Sequence, residues 1–218
     1  MHNLHPLSKS SIIFSIPKVT VTMLSMPQTI IHTNGEAIYY PSVFDGDTCN
    51  TLLAQLTEQI NWQHDEVVMF GKHIITKRKV AWYASEGLSY TYAGKTKEPN
   101  LWSPLLLSIK EKVEMQTGAT YNACLLNLYH TGEEGMSWHR DNEKEIVKES
   151  SIASVSIGAA RKFAFKSVED GKKIELMLES GSVLDMRGPI QEHWYHALPP
   201  SKKIKDLRVN LTFRLLIK

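Results

Sequence analysis

After Gly118 the chain breaks into short β-prone runs, and this pattern constrains its fold more than any other feature. "YNACLLNLYH", "SIASVSIGAARKFAFK", "KKIELML", "GSVLDM", "HWYHAL" and "LRVNLTFRLLI" are parted by glycine, proline or charged turns. Many short strands at such spacing predict a sandwich or barrel with any helices packed outside it. Two helices are expected upstream. Leu52, Leu53, Leu56 and Ile60 recur at helical spacing from Thr48 to Ile60, with Asp47 as the N-cap. Ser103 caps the second, Pro104 opens it, Leu105, Leu106, Ile109 and Val113 form its apolar stripe, and Gly118 stops it. Residues 67–94, rich in aromatic, β-branched and basic side chains, read as hairpins and loops. Before them, "IHTNGEAIYYPSVFDG" holds two short strands at most.

The 218 residues suit one domain with a tail, and 42% hydrophobic with 22% charged residues is an ordinary globular composition. Cys49 and Cys124 lie far apart without a CxxC, which indicates buried thiols in a reducing compartment. No run reaches the ~18 apolar residues of a membrane span. A net charge of +2 neither requires nor excludes nucleic acid. Residues 1–35 contain no Asp or Glu but carry Lys9 and Lys18. They read as a targeting peptide, a flexible tail, or a stretch upstream of a true start at Met23 or Met26. The expected division is a tail over 1–35 and a domain over 36–218.

Alternation along the strands places the chemistry. In "RVNLTFR", Arg208, Asn210, Thr212 and Arg214 share one face, and Val209, Leu211, Phe213 and Leu215 the other. Two arginines on one buried face are costly unless they hold an anion, for which the guanidinium fork suits a carboxylate. The plainer reading is the solvated face of an edge strand. Asn127 and Tyr129 share a face of "NACLLNLYH". In "SWHRDNE", His139 and Asp141 share a face if the segment is extended. A third ligand would come from His193 or His196 in "EHWYHALPP", which point opposite ways on a strand. Two histidines and a carboxylate suit non-haem iron(II) with open positions, and zinc is the competing assignment. The nearby arginines favour iron with an oxo-acid co-substrate.

Together, "NLYHTGEEGMSWHRDNE", "SIASVSIGAARKFAFK", "HWYHALPPSKK" and "LRVNLTFR" resemble the AlkB family of Fe(II)- and 2-oxoglutarate-dependent nucleic-acid dealkylases, most of all the branch containing human AlkB homologue 2. The resemblance spans roughly residues 36 to 216. It implies a mainly β fold with flanking helices: a double-stranded β-helix, or jelly roll, over about 119–218, with an N-terminal nucleotide-recognition lid over about 62–98. By motif, His139, Asp141 and His196 match the iron ligands, and His193 has no such match. Arg208 and Tyr129 match residues at the distal carboxylate of 2-oxoglutarate, and Arg214 and Asn127 those at the carboxylate beside the iron. Asn210 and Thr212 match the same pocket. Tyr90 and Tyr92 of "LSYTYAG" match aromatics that hold the target base against His196, and Asn142 and Glu143 match residues at the base edge. The branch often has Asp where this chain has Asn142, which weakens that correspondence. Phe70, Gly71 and Lys72 of "MFGK" match a hairpin that wedges an aromatic into the duplex.

Arg78, between Lys77 and Lys79, follows that hairpin. Arg161 with Lys162, Lys172 with Lys173, and Lys202, Lys203 and Lys205 form further basic clusters. These read as a phosphate track or as plain solvated surface. The implied activity is direct-reversal DNA repair: oxidative demethylation of 1-methyladenine and 3-methylcytosine with Fe(II), 2-oxoglutarate and O2, releasing formaldehyde, succinate and CO2. The expected partner is alkylated duplex DNA, with single-stranded DNA or RNA as alternatives, and the protein is expected to be a monomer without a membrane partner. An intracellular location is expected, cytoplasmic in a bacterium and nuclear or organellar in a eukaryote. The rival readings are a dioxygenase of this fold acting on RNA, protein or lipid, and a non-catalytic nucleic-acid binder.

Overall fold

The computed structural model describes residues 26–69, 72–88, 90–92, 95–97 and 99–217, leaving aside the side chains of 65–69, 72–74, 90–92 and 95–97. Strands β1 (Gln28–Ile31) and β2 (Glu36–Tyr40) form a hairpin and lead to helix α1 (Gly46–Gln59). Strands β3 (Gln63–Met69), β4 (Lys72–Ala84), β5 (Tyr90–Tyr92) and β6 (Lys95–Lys97) precede helix α2 (Pro104–Thr117). Then come β7 (Ala123–Tyr129), β8 (Met136–His139), β9 (Ile152–Gly158), β10 (Arg161–Ser167), β11 (Lys173–Leu178) and β12 (Ser182–Arg187). The short helix α3 (Ile190–His193), β13 (Trp194–Leu198) and β14 (Arg208–Arg214) end the order.

Two antiparallel sheets dominate. The major one runs β1-β2-β12-β9-β14-β7-β4-β3, the minor one β11-β10-β13-β8, and β5-β6 is a separate ribbon. Residue alternation decides what each strand contributes. Val209, Leu211 and Phe213 of β14 join Val155 of β9 in a core that also takes Leu52 and Leu56 from α1 and Leu106, Ile109 and Val113 from α2. A second core collects Tyr129, Ile152, Leu184 and Met186 of the major sheet with Phe163, Phe165, Trp194 and Leu198 of the minor one. The polar face of β14 therefore turns away from the helices, into the space between the sheets.

Ser103 accepts from the Leu106 N–H at 3.3 Å, and Gly118, at φ 69°, closes α2 by donating to the Glu114 carbonyl at 2.8 Å. The cap of α1 is Asp45 rather than the expected Asp47. Asp45 has extended backbone and accepts from the Thr48 N–H at 2.8 Å, while Asp47 sits in the first turn, where a carboxylate favours the positive end of the helix. The tail boundary at residue 35 also moves, because β1 lies inside it and pairs with β2. The wedge positions Phe70 and Gly71 lie outside the described residues. Around them, β3 and β4 pair from Gln63↔Val80 to Met69↔Lys72, whereas β7 pairs only with Lys79–Ala84 of β4. The hairpin therefore extends beyond the sheet. Among the described residues, no helix is long and apolar enough to cross a membrane.

Gly181 fixes the approach to β12. It sits at φ 83°, its carbonyl accepts from the N–H groups of Val43 and Phe44, and an added Cβ would stand 2.1 Å from the Phe44 carbonyl oxygen. Gly171 has a similar φ of 72° but open space around it. Gly181→Ala should cost more than ~1 kcal/mol, and clearly more than Gly171→Ala, in urea denaturation. Equal losses would show that close packing at Gly181 contributes nothing.

Candidate metal centre and its cavity

Strand register brings the two histidines together. β8 pairs with β13 so that His139 lies opposite His196, with ring centroids 4.2 Å apart. Cross-strand neighbours on one face are in direct reach of each other. Asp141 lies two residues past the end of β8, held by its N–H donating to Gln191 Oε1 at 3.0 Å. One ligand atom from each of His139, Asp141 and His196 falls within 4.8 Å of the others, the one such cluster among the described residues. His193, in α3, stands outside it.

The ligand atoms are oriented before any metal arrives. His139 Nδ1 lies 2.8 Å from the Ser137 carbonyl, which can only accept, so Nδ1 donates that hydrogen bond and Nε2 faces the cluster. Arg214 Nη2 donates to Asp141 Oδ2 at 2.8 Å, while Oδ1 faces His139 Nε2 at 3.9 Å. Burial pushes the Asp141 carboxyl up, but the charges of Arg214, His196 and His139 outweigh it and hold it at about 2. Burial pushes His196 down to about 3 against the pull of Asp141. At neutral pH His196 is thus a neutral imidazole and Asp141 an ionised carboxylate, the forms that bind a metal.

The cluster opens onto a cavity of about 200 Å³ between the sheets. Its far wall carries Asn127, Tyr129, Arg208, Asn210, Thr212 and Arg214. The solvated-edge alternative for "RVNLTFR" fails, because β14 runs between β9 and β7 and all four polar residues are buried. Arg208 Nη2 donates to Ser156 Oγ at 3.0 Å, its Nε has no partner among the described residues, and burial lowers its pKa to about 10. The Asn210 amide is already engaged: Nδ2 donates to Ser154 Oγ at 2.8 Å and to the Val155 carbonyl at 3.0 Å, and Oδ1 accepts from Thr212 at 3.1 Å. Asn210 and Thr212 therefore brace the wall, whereas Asn127 Oδ1 is buried without a partner among the described residues.

The expected base-edge pair divides. Glu143 lines both this cavity and a neighbouring one of about 400 Å³, whereas Asn142 is exposed and lines only the neighbouring one, with Ile146, Val147 and Gln191. Tyr90 and Tyr92 fall on β5 and Lys72 on β4, with side chains outside the description. Arg78 does not belong to an outward basic track: it is buried, with Nη1 3.2 Å from Met136 Sδ, behind a residue of the cavity wall. Lys77 beside it is exposed.

Arg161 departs most from the sequence reading. Expected in a surface cluster, it is 1% exposed. The signal was present in "ARKFAFK", where Arg161 shares parity with the buried Phe163 and Phe165, and Lys162 does not. The other basic residues stay outside. Lys162 pairs with Glu175 at 2.7 Å, Lys205 with Glu133 at 3.8 Å, and Lys172, Lys202 and Lys203 are exposed. Lys173 lies over the half-exposed Trp138 ring at 5.8 Å. Arg140 donates to the Glu192 carbonyl at 3.0 Å and stacks on Tyr195 at 4.9 Å, which anchors the segment between the two ligands.

A sandwich with a two-histidine, one-carboxylate cluster and buried arginines is the architecture of a 2-oxoglutarate-dependent iron oxygenase. The sequence pattern of the 2OG-Fe(II) oxygenase superfamily matches residues 36–214. Human DNA oxidative demethylase ALKBH2 is 36% identical over 198 residues, covering 86% of this chain and 76% of that protein. The bovine ALKBH2 is 42% identical over 159 residues, 69% of this chain, and the match spans only 57% of that relative's length. Human alkB homolog 3, an alpha-ketoglutarate-dependent dioxygenase, is 31% identical over 96% of this chain and 80% of its own. The solved structure of OsALKBH1 superimposes with a TM-score of 0.56 at 15% identity, over 82% of this chain and 97% of that one, which supports the jelly-roll fold. The chain therefore belongs to the 2OG-Fe(II) oxygenase superfamily and, within it, to the AlkB family near ALKBH2. Its cofactor and co-substrates are accordingly Fe(II), 2-oxoglutarate and O2, and the His-Asp-His cluster fits iron.

In the metal-free protein, His196 resists protonation down to about pH 3, whereas in the unfolded chain it takes a proton near its usual 6.5. The unfolded state then binds more protons, so stability falls as pH drops from 6.5 towards 3. Asp141 acts with the same sign lower down, between its usual 3.8 and about 2. Urea denaturation at several pH values should show a shallower acid loss in His196→Gln. An unchanged slope would contradict the buried neutral imidazole.

Proposed function

We infer that this chain is a DNA oxidative demethylase that removes N-linked methyl groups from 1-methyladenine and 3-methylcytosine. The observation that carries this is one cavity holding three features: the His139, Asp141, His196 cluster, the buried arginine face of β14, and Glu143. Relatives named DNA oxidative demethylase support the reaction class.

When bound, iron(II) with 2-oxoglutarate and O2 supplies the oxidation of the methyl group, with succinate, CO2 and formaldehyde as products. The protein's own residues do the positioning. Arg208 and Tyr129 take the distal carboxylate, and Arg214 and Asn127 the one beside the metal. Arg214 also holds Asp141 by its second oxygen, so one guanidinium aligns ligand and co-substrate. Glu143 on the cavity wall favours the cationic ring of 1-methyladenine or 3-methylcytosine over a neutral base. Tyr90, Tyr92 and His196 hold the extruded base, and Phe70 fills the gap it leaves in the duplex. The catalytic jelly roll extends over about 119–218, the recognition lid over about 62–98, and the protein acts as an intracellular monomer on duplex DNA.

The test compares formaldehyde release from methylated duplex DNA, single-stranded DNA and RNA, with Fe(II) and 2-oxoglutarate. Duplex DNA should turn over fastest. No release from any of the three would sink the reading, and release from RNA alone would move the substrate to RNA. His139→Ala should abolish turnover while keeping the circular dichroism spectrum and affinity for DNA. Retained activity would remove His139 from the metal.

A further inference from the structure

Arg161 and Arg208 are the two largest fully buried side chains among the described residues. Arg208 lines the cavity, and Arg161 sits one layer behind it. Nη2 of Arg161 donates to the carbonyls of Gly132 at 3.1 Å, Glu134 at 2.7 Å and Pro199 at 3.2 Å, and Nη1 reaches Thr131 O at 3.5 Å. Its Nε has no partner among the described residues. These carbonyls come from the segments leading into β8 and out of β13, the strands that carry His139 and His196. The two segments touch closely, since a Cβ on Gly132 would stand 2.3 Å from the Ser201 carbonyl oxygen.

The Tyr129 ring receives both guanidinium groups, Arg208 at 5.4 Å and Arg161 at 5.7 Å. Neither arginine makes an ion pair among the described residues. The acid beside Arg161 is Glu134, and its carboxylate is occupied by the N–H of His130 at 3.0 Å and His130 Nδ1 at 3.1 Å. Burial lowers the pKa of both arginines, and the charge of Arg161 adds to the lowering at Arg208. Satisfying four carbonyls needs donors, not a charge. Burying a second cation beside the first is unfavourable unless an anion arrives to face both.

We propose that Arg161 is a positioning residue for the co-substrate: it holds Tyr129 in place and adds its charge behind the end of the cavity that takes the distal carboxylate. This rests on the assignment of Arg208 to that carboxylate. Acting through Tyr129, Arg161 raises affinity for a dicarboxylate without touching it, and it ties that affinity to the spacing of β8 and β13.

The experiment measures, by calorimetry under argon on Fe(II)-loaded protein, the affinities for 2-oxoglutarate and for 2-oxobutyrate, which lacks only the distal carboxylate. The ratio of the two in each variant cancels any loss of folded protein. Arg161→Gln keeps an amide donor for the carbonyls but removes the charge, and should cut the preference for 2-oxoglutarate about tenfold. Arg161→Lys keeps the charge and should retain most of the preference. Arg208→Met should lose more than either. An unchanged ratio in Arg161→Gln, with a collapsed ratio in Arg208→Met, overturns the role of Arg161 and leaves the co-substrate assignment standing. Equal losses in Arg161→Gln and Arg161→Lys overturn the part played by charge. Unchanged ratios in Arg208→Met and Arg161→Gln alike overturn the assignment itself.

Discussion

The buried ion pair between Arg214 and Asp141 joins the two halves of the molecule. Arg214 ends the central strand of the major sheet, and Asp141 follows the edge strand of the minor one. Their side chains are 4% and 6% exposed and meet at 2.8 Å. Such a pair is weak evidence for stability, since desolvation offsets much of the attraction. Its consequence is geometric. Removing either partner strands a buried charge, so the carboxylate stays ionised and aimed beside the two histidines. The β8–β13 register then completes the cluster from the other side.

The same economy of parts runs through the cavity. β14 buries Val209, Leu211 and Phe213 against the helices and turns Arg208, Asn210, Thr212 and Arg214 inward. One strand therefore serves as core on one face and as the polar wall on the other. Ser154 and Ser156 of β9 take the hydrogen bonds that Asn210 and Arg208 would otherwise lack. This bracing keeps the wall rigid while leaving Arg208 Nε and Asn127 Oδ1 without partners among the described residues. A dicarboxylate bound there would meet prearranged groups, which lowers the ordering cost of binding.

Local signals made much of this readable from the amino-acid sequence. Strand alternation in "RVNLTFR" foretold the two faces of β14, and Ser103, Pro104 and Gly118 marked both ends of α2. The candidate metal cluster was readable because His139 and Asp141 are neighbours in sequence, and His196 followed from its motif. What alternation cannot tell is which neighbours a strand acquires. The edge-or-centre question for β14 was settled by β7 and β9, which pair with it from distant parts of the chain. Asn142 and Glu143 are adjacent, yet the backbone beyond β8 is irregular, so parity gave no hint that only Glu143 would reach the cavity of the metal cluster. Arg161 was misplaced because a charged pair suggests solvent, although its parity with two phenylalanines argued the reverse. β1 escaped notice because only pairing with β2 makes so short a strand stable.

The proposed chemistry requires one cavity to seat a metal and a dicarboxylate side by side. Diffraction from a crystal grown with Mn(II) and 2-oxoglutarate tests it most directly. The account predicts one anomalous peak bonded to His139 Nε2, the Asp141 carboxylate and His196, with 2-oxoglutarate reaching from that metal towards Arg208. A metal bound elsewhere, or a dicarboxylate lying outside the β14 wall, would contradict it.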